Sequence, residues 1–185
     1  MMGKWIKLIF VTVAMLATSA TFAGSATIKA EDVKGFISVM EAMGENEAEF
    51  EGMSDEVPPM FDNDGSLMMF RGVLEQIKKD PVAGEKLSEV VDNAGFKSLE
   101  HWAEMGDKIM LTFMSVQSDA QSDEEKQAMH DMLNMTPEMI STIPESMRGV
   151  IESAQTMMKA MGNVTDADKA VLAPYVSKLE AAMME

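Results

Sequence analysis

Apolar side chains recur every three or four residues along almost the whole chain after residue 24, and this period limits the fold more than any other feature. The stripe formed by Val33, Phe36, Ile37 and Met40 is typical. A second stripe runs through residues 99–113, and the small Gly106 within it is expected to let another helix approach closely. Such spacing places side chains on one face of an α-helix, whereas the alternating pattern that would indicate a β-strand is absent from the sequence. The pattern predicts an all-α protein in which residues 24–185 form a single compact antiparallel bundle of six or seven helices.

Capping residues indicate where several of these helices begin and end. Asp80 before Pro81 predicts a helix start, because Asp accepts hydrogen bonds from free amides and Pro is preorganised at the first helical position. Further starts are expected at Ser98, at Ser122 or Asp123, at Pro137, at Pro144 and at Thr165. Gly95 predicts a helix end, and Pro174 predicts a break in the last helix.

The first 23 residues have the organisation of a secretory signal peptide. Lys4 and Lys7 precede the apolar run Leu8–Ala17, and small residues follow up to Ala23. A basic start, a short apolar centre and a small residue before the cut are the features of a cleaved signal. The apolar run is shorter than the roughly 20 residues of a membrane-spanning helix. We expect cleavage after Ala23, with positions 20 and 26 as alternatives, and a periplasmic or secreted mature protein without a membrane span.

The chain is strongly acidic. Its formal net charge of −16 becomes −18 when Lys4 and Lys7 are removed with the signal peptide. Such a field repels nucleic-acid phosphates and anionic lipid heads, so neither is an expected partner, while cationic partners remain compatible with it. Residues 45–65 are acidic and poor in apolar side chains, and we expect them to form a loop-rich connector within the domain. Elsewhere the carboxylates are expected to solvate the outer faces of the helices.

No combination of residues indicates an active site. Cysteine is absent, which excludes a thiol nucleophile, a cysteine zinc site and covalent haem attachment. Neither His101 nor His130 has Glu three positions before it, so the ferritin-like di-iron motif is missing. The turn Asp62–Gly65 resembles half an EF-hand loop, but Met60 and Arg71 occupy positions where calcium needs oxygen ligands. We therefore expect a protein that is not an enzyme.

Methionine is unusually frequent. The chain has 22 methionines, of which 19 lie after residue 24, where only 8 leucines occur. Methionine is unbranched and polarizable, and it fills irregular gaps in a core as well as adapting to different partners. After Pro144, the stripe of Met147, Val150, Met158 and Met161 follows the helical period, and we expect it to be buried where leucine would pack. Most of the methionines are interpreted in this way, as core residues.

Two groups of methionines, one at residues 129–139 and one at residues 157–161, contain more thioether side chains than one buried helix face requires. Met129, Met132, Met135 and Met139 follow one another at intervals of three and four residues, and they are predicted to form a surface that binds a protein or peptide. The alternative is a Cu(I) site, because thioether and imidazole groups are ligands that copper accepts. The ligands of that alternative copper site would be drawn from Met129, His130, Met132, Met135, Met157 and Met161.

Two blocks of the sequence carry a resemblance to known proteins. The first contains Gly95-Phe96, Ser98, Trp102, Gly106-Asp107 and Ile109-Met110, and the second contains Asp168-Lys169, Leu172, Pro174-Tyr175 and Leu179-Glu180. Together they resemble small exported all-helical proteins of Gram-negative bacteria that have no assigned function. The resemblance implies export and an all-α fold, and it implies no active-site residues. The helical periplasmic stress chaperones are a looser likeness, from which this chain departs at Ser115, where their Leu-Thr-x-x-Gln motif has Gln.

Overall fold

In a computed structural model of the protein, residues 27–45, 60–62 and 65–184 are described. Helices make up 79% of these residues, which contain no β-strand, and the expected all-α fold is confirmed. The helices are α1 (Ala30–Glu45), α2 (Met69–Ile77), α3 (Pro81–Asn93), α4 (Leu99–Asp119), α5 (Asp123–Leu133), α6 (Pro137–Ser141), α7 (Glu145–Gly162), α8 (Asp166–Leu172) and α9 (Val176–Met184). The predicted signal peptide at 1–23 and most of the predicted connector at 45–65 lie outside the described residues.

The helix boundaries follow the capping residues that the sequence indicates. Backbone amides in the first turns of α3, α4, α5 and α8 donate hydrogen bonds to the side chains of Asp80, Ser98, Ser122 and Thr165, respectively. Gly95 follows α3 with φ of +89°, a left-handed conformation that has no steric cost for glycine. The helical segments outnumber the six or seven expected. The reason is that a separate five-residue helix starts at Pro137 and a 3-10 turn at Ala173–Tyr175 divides the last helix.

The main core surrounds α4, which contacts α1, α2, α3, α7 and α8. Trp102 of this helix is completely buried, as is Phe36 of α1. The Phe70 ring lies edge-on to both, with centroids 4.9 Å from Phe36 and 5.6 Å from Trp102. Edge-to-face aromatic pairs each contribute about 1 kcal/mol beyond their buried area. The apolar stripes predicted for α1 and α4 therefore meet in one aromatic centre.

Gly106 allows these aromatic rings to approach the backbone of α4. A Cβ atom at this position would lie 2.8 Å from Cε2 of Phe36 and 2.9 Å from Cγ of Phe70. Real Cβ atoms essentially never come so close to other heavy atoms. The expectation that Gly106 permits close approach is confirmed, and the neighbours that use the space are two rings from α1 and α2.

Most of the described methionines lie outside the core, and the expectation that most of them fill it is wrong. Among the methionine side chains that the structure describes, only Met105 and Met110 are buried. The buried apolar residues are mainly Ile, Val, Leu, Phe and Trp. Met147 and Val150, which were expected to be inward-facing, are 54% and 69% exposed. Methionine therefore surrounds a conventional core instead of replacing leucine within it.

The distribution of helices explains this difference. The helix α7 contacts α4 as well as α5 and α6, and through it that pair packs against the main core. Because α5 is short and acidic and α6 has only five residues, they leave part of the apolar stripe of α7 uncovered.

None of the described helices is both long enough and apolar enough to cross a bilayer.

Candidate functional site

The helices α5, α6 and α7, which we call the outer layer, bury few side chains. None of the residues of α5 is buried, and the buried apolar residues of α6 and α7 are Ile140 and Ala160, at 8% and 9% exposure. The other helices of the described chain contribute nearly all of the core. Such a layer gains little stability from apolar burial, and its arrangement must depend on other contacts.

Polar side chains of α7 hold the outer layer together. The Gln155 amide Nε2 donates to the carbonyl oxygens of Met132 and Met135, at 2.8 Å and 3.2 Å. The Arg148 guanidinium donates to the carbonyl oxygens of Ile143 and Ser141, at 2.9 Å and 2.8 Å. Carbonyl groups at helix ends have no partner within their own helix, so these contacts satisfy groups that would otherwise need water. The ends of α5 and α6 are thus fixed to α7 by hydrogen bonds.

The four methionines predicted as a partner-binding surface lie in this layer, and they differ in exposure. Met139 of α6 is 51% exposed. Met129, Met132 and Met135 are half-buried. The Met129 sulfur accepts a hydrogen bond of 3.8 Å from the Ser118 hydroxyl at the end of α4. The structure therefore places all four in one layer, with one of them open to a partner and three partly covered by the protein itself.

The residues of the alternative copper site have different surroundings. His130 is exposed, and its ring nitrogens lie 3.1 Å and 3.2 Å from the Asn134 amide nitrogen. Met157 packs against the main core, and the Met161 carbonyl accepts a hydrogen bond from Ser115 of α4. These groups therefore have different hydrogen-bonding and packing partners, and the copper alternative stays a prediction.

Met147 and Val150 were not predicted as surface residues, although together with Met139 they are the most exposed large apolar side chains of the outer layer. We call these three residues the exposed apolar face. The sequence does contain a signal for it. The stripe of α7 runs through 18 residues, whereas α5 and α6 supply only a few apolar side chains to cover it. Part of the stripe had to remain open.

Two buried aspartates connect distant elements, and neither was recognised from the sequence as a buried residue. Asp107 of α4 accepts hydrogen bonds from the Phe70 amide at 2.7 Å and from Arg71 Nε at 2.8 Å. Asp168 accepts from the Ile28 amide at 2.8 Å and lies 3.5 Å from the Lys108 ammonium. Because these contacts are made with backbone amides and with side chains of the protein itself, we interpret both carboxylates as structural.

His101 is half-buried, and its ring centroid lies 5.7 Å from that of Phe96. Within the described part of the chain, no group of three His, Asp or Glu side chains is arranged to hold a metal ion. An open groove of about 470 Å³ lies between α1 and α3, and Glu31, Lys34 and Asn93 contribute its polar lining.

The pKa values of two carboxyl groups shift in opposite directions. Their contributions to the pH dependence of the free energy of unfolding should therefore have opposite signs. Burial raises the pKa of Asp107, although Arg71 and the Phe70 amide favour its charged form. The hydroxyl and amide of Ser122 lower the pKa of Glu125. The folded protein therefore takes up a proton at Asp107 more readily than the unfolded chain does, and at Glu125 less readily.

As the pH falls from about 7 to about 4.5, the free energy of unfolding of the wild type should rise relative to Asp107→Asn and fall relative to Glu125→Gln. Urea unfolding of the three proteins at several pH values measures both differences. Each variant serves as the control for the other, because global effects of acid are common to both. A change of the same sign for the two variants would contradict the prediction.

Comparisons with protein-family models, with curated protein sequences and with solved structures find no match for this chain.

Proposed function

We propose that residues 24–185 form a non-enzymatic periplasmic or secreted protein that binds proteins or peptides through the outer layer. In this proposal residues 1–23 are a signal peptide that is removed during export. The observation that supports binding is the exposure of Met139, Met147 and Val150, which are 51%, 54% and 69% accessible. Exposed apolar side chains that occur together are typical of interaction sites, whereas single ones are ordinary.

The chemistry of methionine supports an adaptable binding surface. A thioether side chain has three rotatable bonds and can repack against partners of different shape. Met139 of α6 and Met147 of α7 are exposed, while Met129 and Met132 of α5 and Met135, between α5 and α6, are half-buried. Because few side chains of this layer are buried, small shifts that admit a partner disturb little of the core. We include all five methionines in the proposed binding surface.

A photo-crosslinking amino acid in place of Met147 should capture a specific partner in the cell. The matched control is the same amino acid in place of Val82, which is 78% exposed but lies in α3, outside the outer layer. The crosslinked product at position 147 should fall by about tenfold in a background that carries Met139→Gln and Val150→Gln, since two apolar contacts are lost. Quantitative mass spectrometry of the crosslinked products makes the comparison.

Substitution of Met129, Met132, Met135 and Met139 by Leu should also reduce the crosslinked product while leaving the fold intact, because Leu conserves volume but not flexibility. Circular dichroism and the unfolding midpoint report on the fold. Identical products at positions 147 and 82, or products that none of these substitutions reduces, would argue against a binding role for the outer layer.

A further inference from the structure

We infer that the partner of the outer layer is a basic amphipathic α-helix, in a peptide or in a segment of a larger protein. This inference rests on the proposed function and adds the chemical class of the partner. Three properties of the described residues support it: the distribution of exposed apolar groups, the state of the backbone and the sign of the surrounding charge.

The apolar stripe of α7 is open at one end and closed at the other. Met147 and Val150 near the start of the helix are largely exposed, whereas Ile151 and Ala154, on the same face, are half-buried. Further along, Met157 packs against the main core. Exposure is thus concentrated where α7 meets α6, the helix that contributes Met139. A partner that covers this region would extend the apolar contact that the core already makes with the far end of α7.

The backbone of this region restricts how a partner can bind. A peptide that binds as an added strand needs a sheet edge with free amide and carbonyl groups. The part of the chain that the structure describes has no strand, and the outer layer is helical, with carbonyl groups at its helix ends bound by Gln155 and Arg148. A partner must therefore satisfy its own backbone hydrogen bonds while it presents apolar side chains, and an α-helix does both.

The segment that contains the exposed apolar face is acidic. Between residues 131 and 152 the sequence contains four carboxylates and one guanidinium. The carboxylates belong to Asp131, Glu138, Glu145 and Glu152, all of which are exposed. The guanidinium of Arg148 is engaged by two backbone carbonyl groups of the same layer. An acidic segment that exposes apolar side chains complements a helix that carries leucine-like residues on one face and Lys or Arg on the other.

The use of methionine then determines how selective the interaction is. Rigid branched side chains would favour one partner shape, whereas thioether groups adapt to several. The outer layer should therefore recognise a class of helices by amphipathicity and positive charge instead of one particular sequence.

Two labelled peptides test the inference by fluorescence anisotropy with the mature protein. Both are amphipathic helices of roughly 18 residues with leucines on one face, and the opposite face carries lysines in one peptide and glutamates in the other. The lysine peptide should bind at least about tenfold more tightly at low salt, and added salt should reduce that difference. The triple variant Met139→Gln, Met147→Gln, Val150→Gln should weaken binding of the lysine peptide by at least about tenfold, whereas Val82→Gln should not change it.

The outcomes separate the inference from the proposed function. Equal binding of the two peptides that the triple variant abolishes would overturn the basic partner and leave the proposed binding surface in place. Binding of the lysine peptide that the triple variant does not alter would show mere attraction to an acidic protein, and it would overturn the inference. Failure of both peptides to bind would overturn it as well. Crosslinking at Met147 tests the proposed function independently of any chosen peptide.

Discussion

Replacing Asp168 by Ala should lower the free energy of unfolding by about 3 kcal/mol, because it removes a buried carboxylate that is bonded to several groups. The Asp168 carboxylate accepts hydrogen bonds from the Ile28 amide and from the Thr165 hydroxyl, each at 2.8 Å. It also lies 3.5 Å from Lys108, whose side chain is 14% exposed. The variant leaves a largely buried ammonium without this carboxylate and a buried amide without its acceptor.

Urea unfolding measures the loss, and hydrogen exchange of the amides from Ile28 to Val33 reports on the local connection. The matched control is Asp166→Ala in the first turn of the same helix. Its carboxylate is exposed, and its removal should cost less than about 1 kcal/mol through the helix dipole. Asp168→Asn, which retains an acceptor oxygen, should fall between the two. Equal losses for Asp168→Ala and Asp166→Ala would show that the carboxylate does not stabilise the N-terminal segment.

Gly106→Ala should destabilise the protein by about 1–3 kcal/mol, although alanine is the better helix former. The new methyl group would lie 2.8 Å from Phe36 and 2.9 Å from Phe70. Neither ring can move freely, because the two rings are in edge-to-face contact and Phe70 also contacts Trp102. The strain must therefore spread through the aromatic centre of the core.

Gly149→Ala is the matched control for this substitution. Gly149 also lies within a helix, but it is exposed, and no heavy atom of the surrounding protein lies within 4 Å of its added Cβ. Here only the higher helix propensity of alanine contributes, and the free energy of unfolding is expected to rise by about 0.5–1 kcal/mol. Thermal or urea unfolding of both variants decides the matter. A Gly106→Ala protein as stable as the wild type would mean that the rings relax at little cost.

The features that the sequence predicted correctly depend on local chemistry. Asp80 and Ser98 cap helices because their side chains reach amides two or three residues away. The inward stripes of α1 and α4 follow from the helical period, which is also local. For the same reason the special position of Gly106 could be expected, since a small residue on an apolar stripe indicates close packing.

The features that were missed depend on residues far apart in the chain. Asp107 bonds to the amide of a residue 37 positions away, and Asp168 to one 140 positions away. From the sequence alone, each of these two aspartates would be predicted to be a solvated carboxylate. The burial of Met147 was predicted wrongly for a related reason. The helical period identifies an apolar face, but only the arrangement of neighbouring helices decides whether that face is covered.

The hydrogen bond between Ile28 and Asp168 has a consequence for the order in which the chain can fold. Ile28 lies just before α1, and its partner lies in α8, while α1 also packs against α9. During synthesis α1 therefore emerges long before α8 and α9, although α3 and α4, which it also contacts, follow it sooner. Part of its packing surface must stay uncovered until α8 and α9 have appeared, so we expect the domain to complete its core late and not progressively from α1.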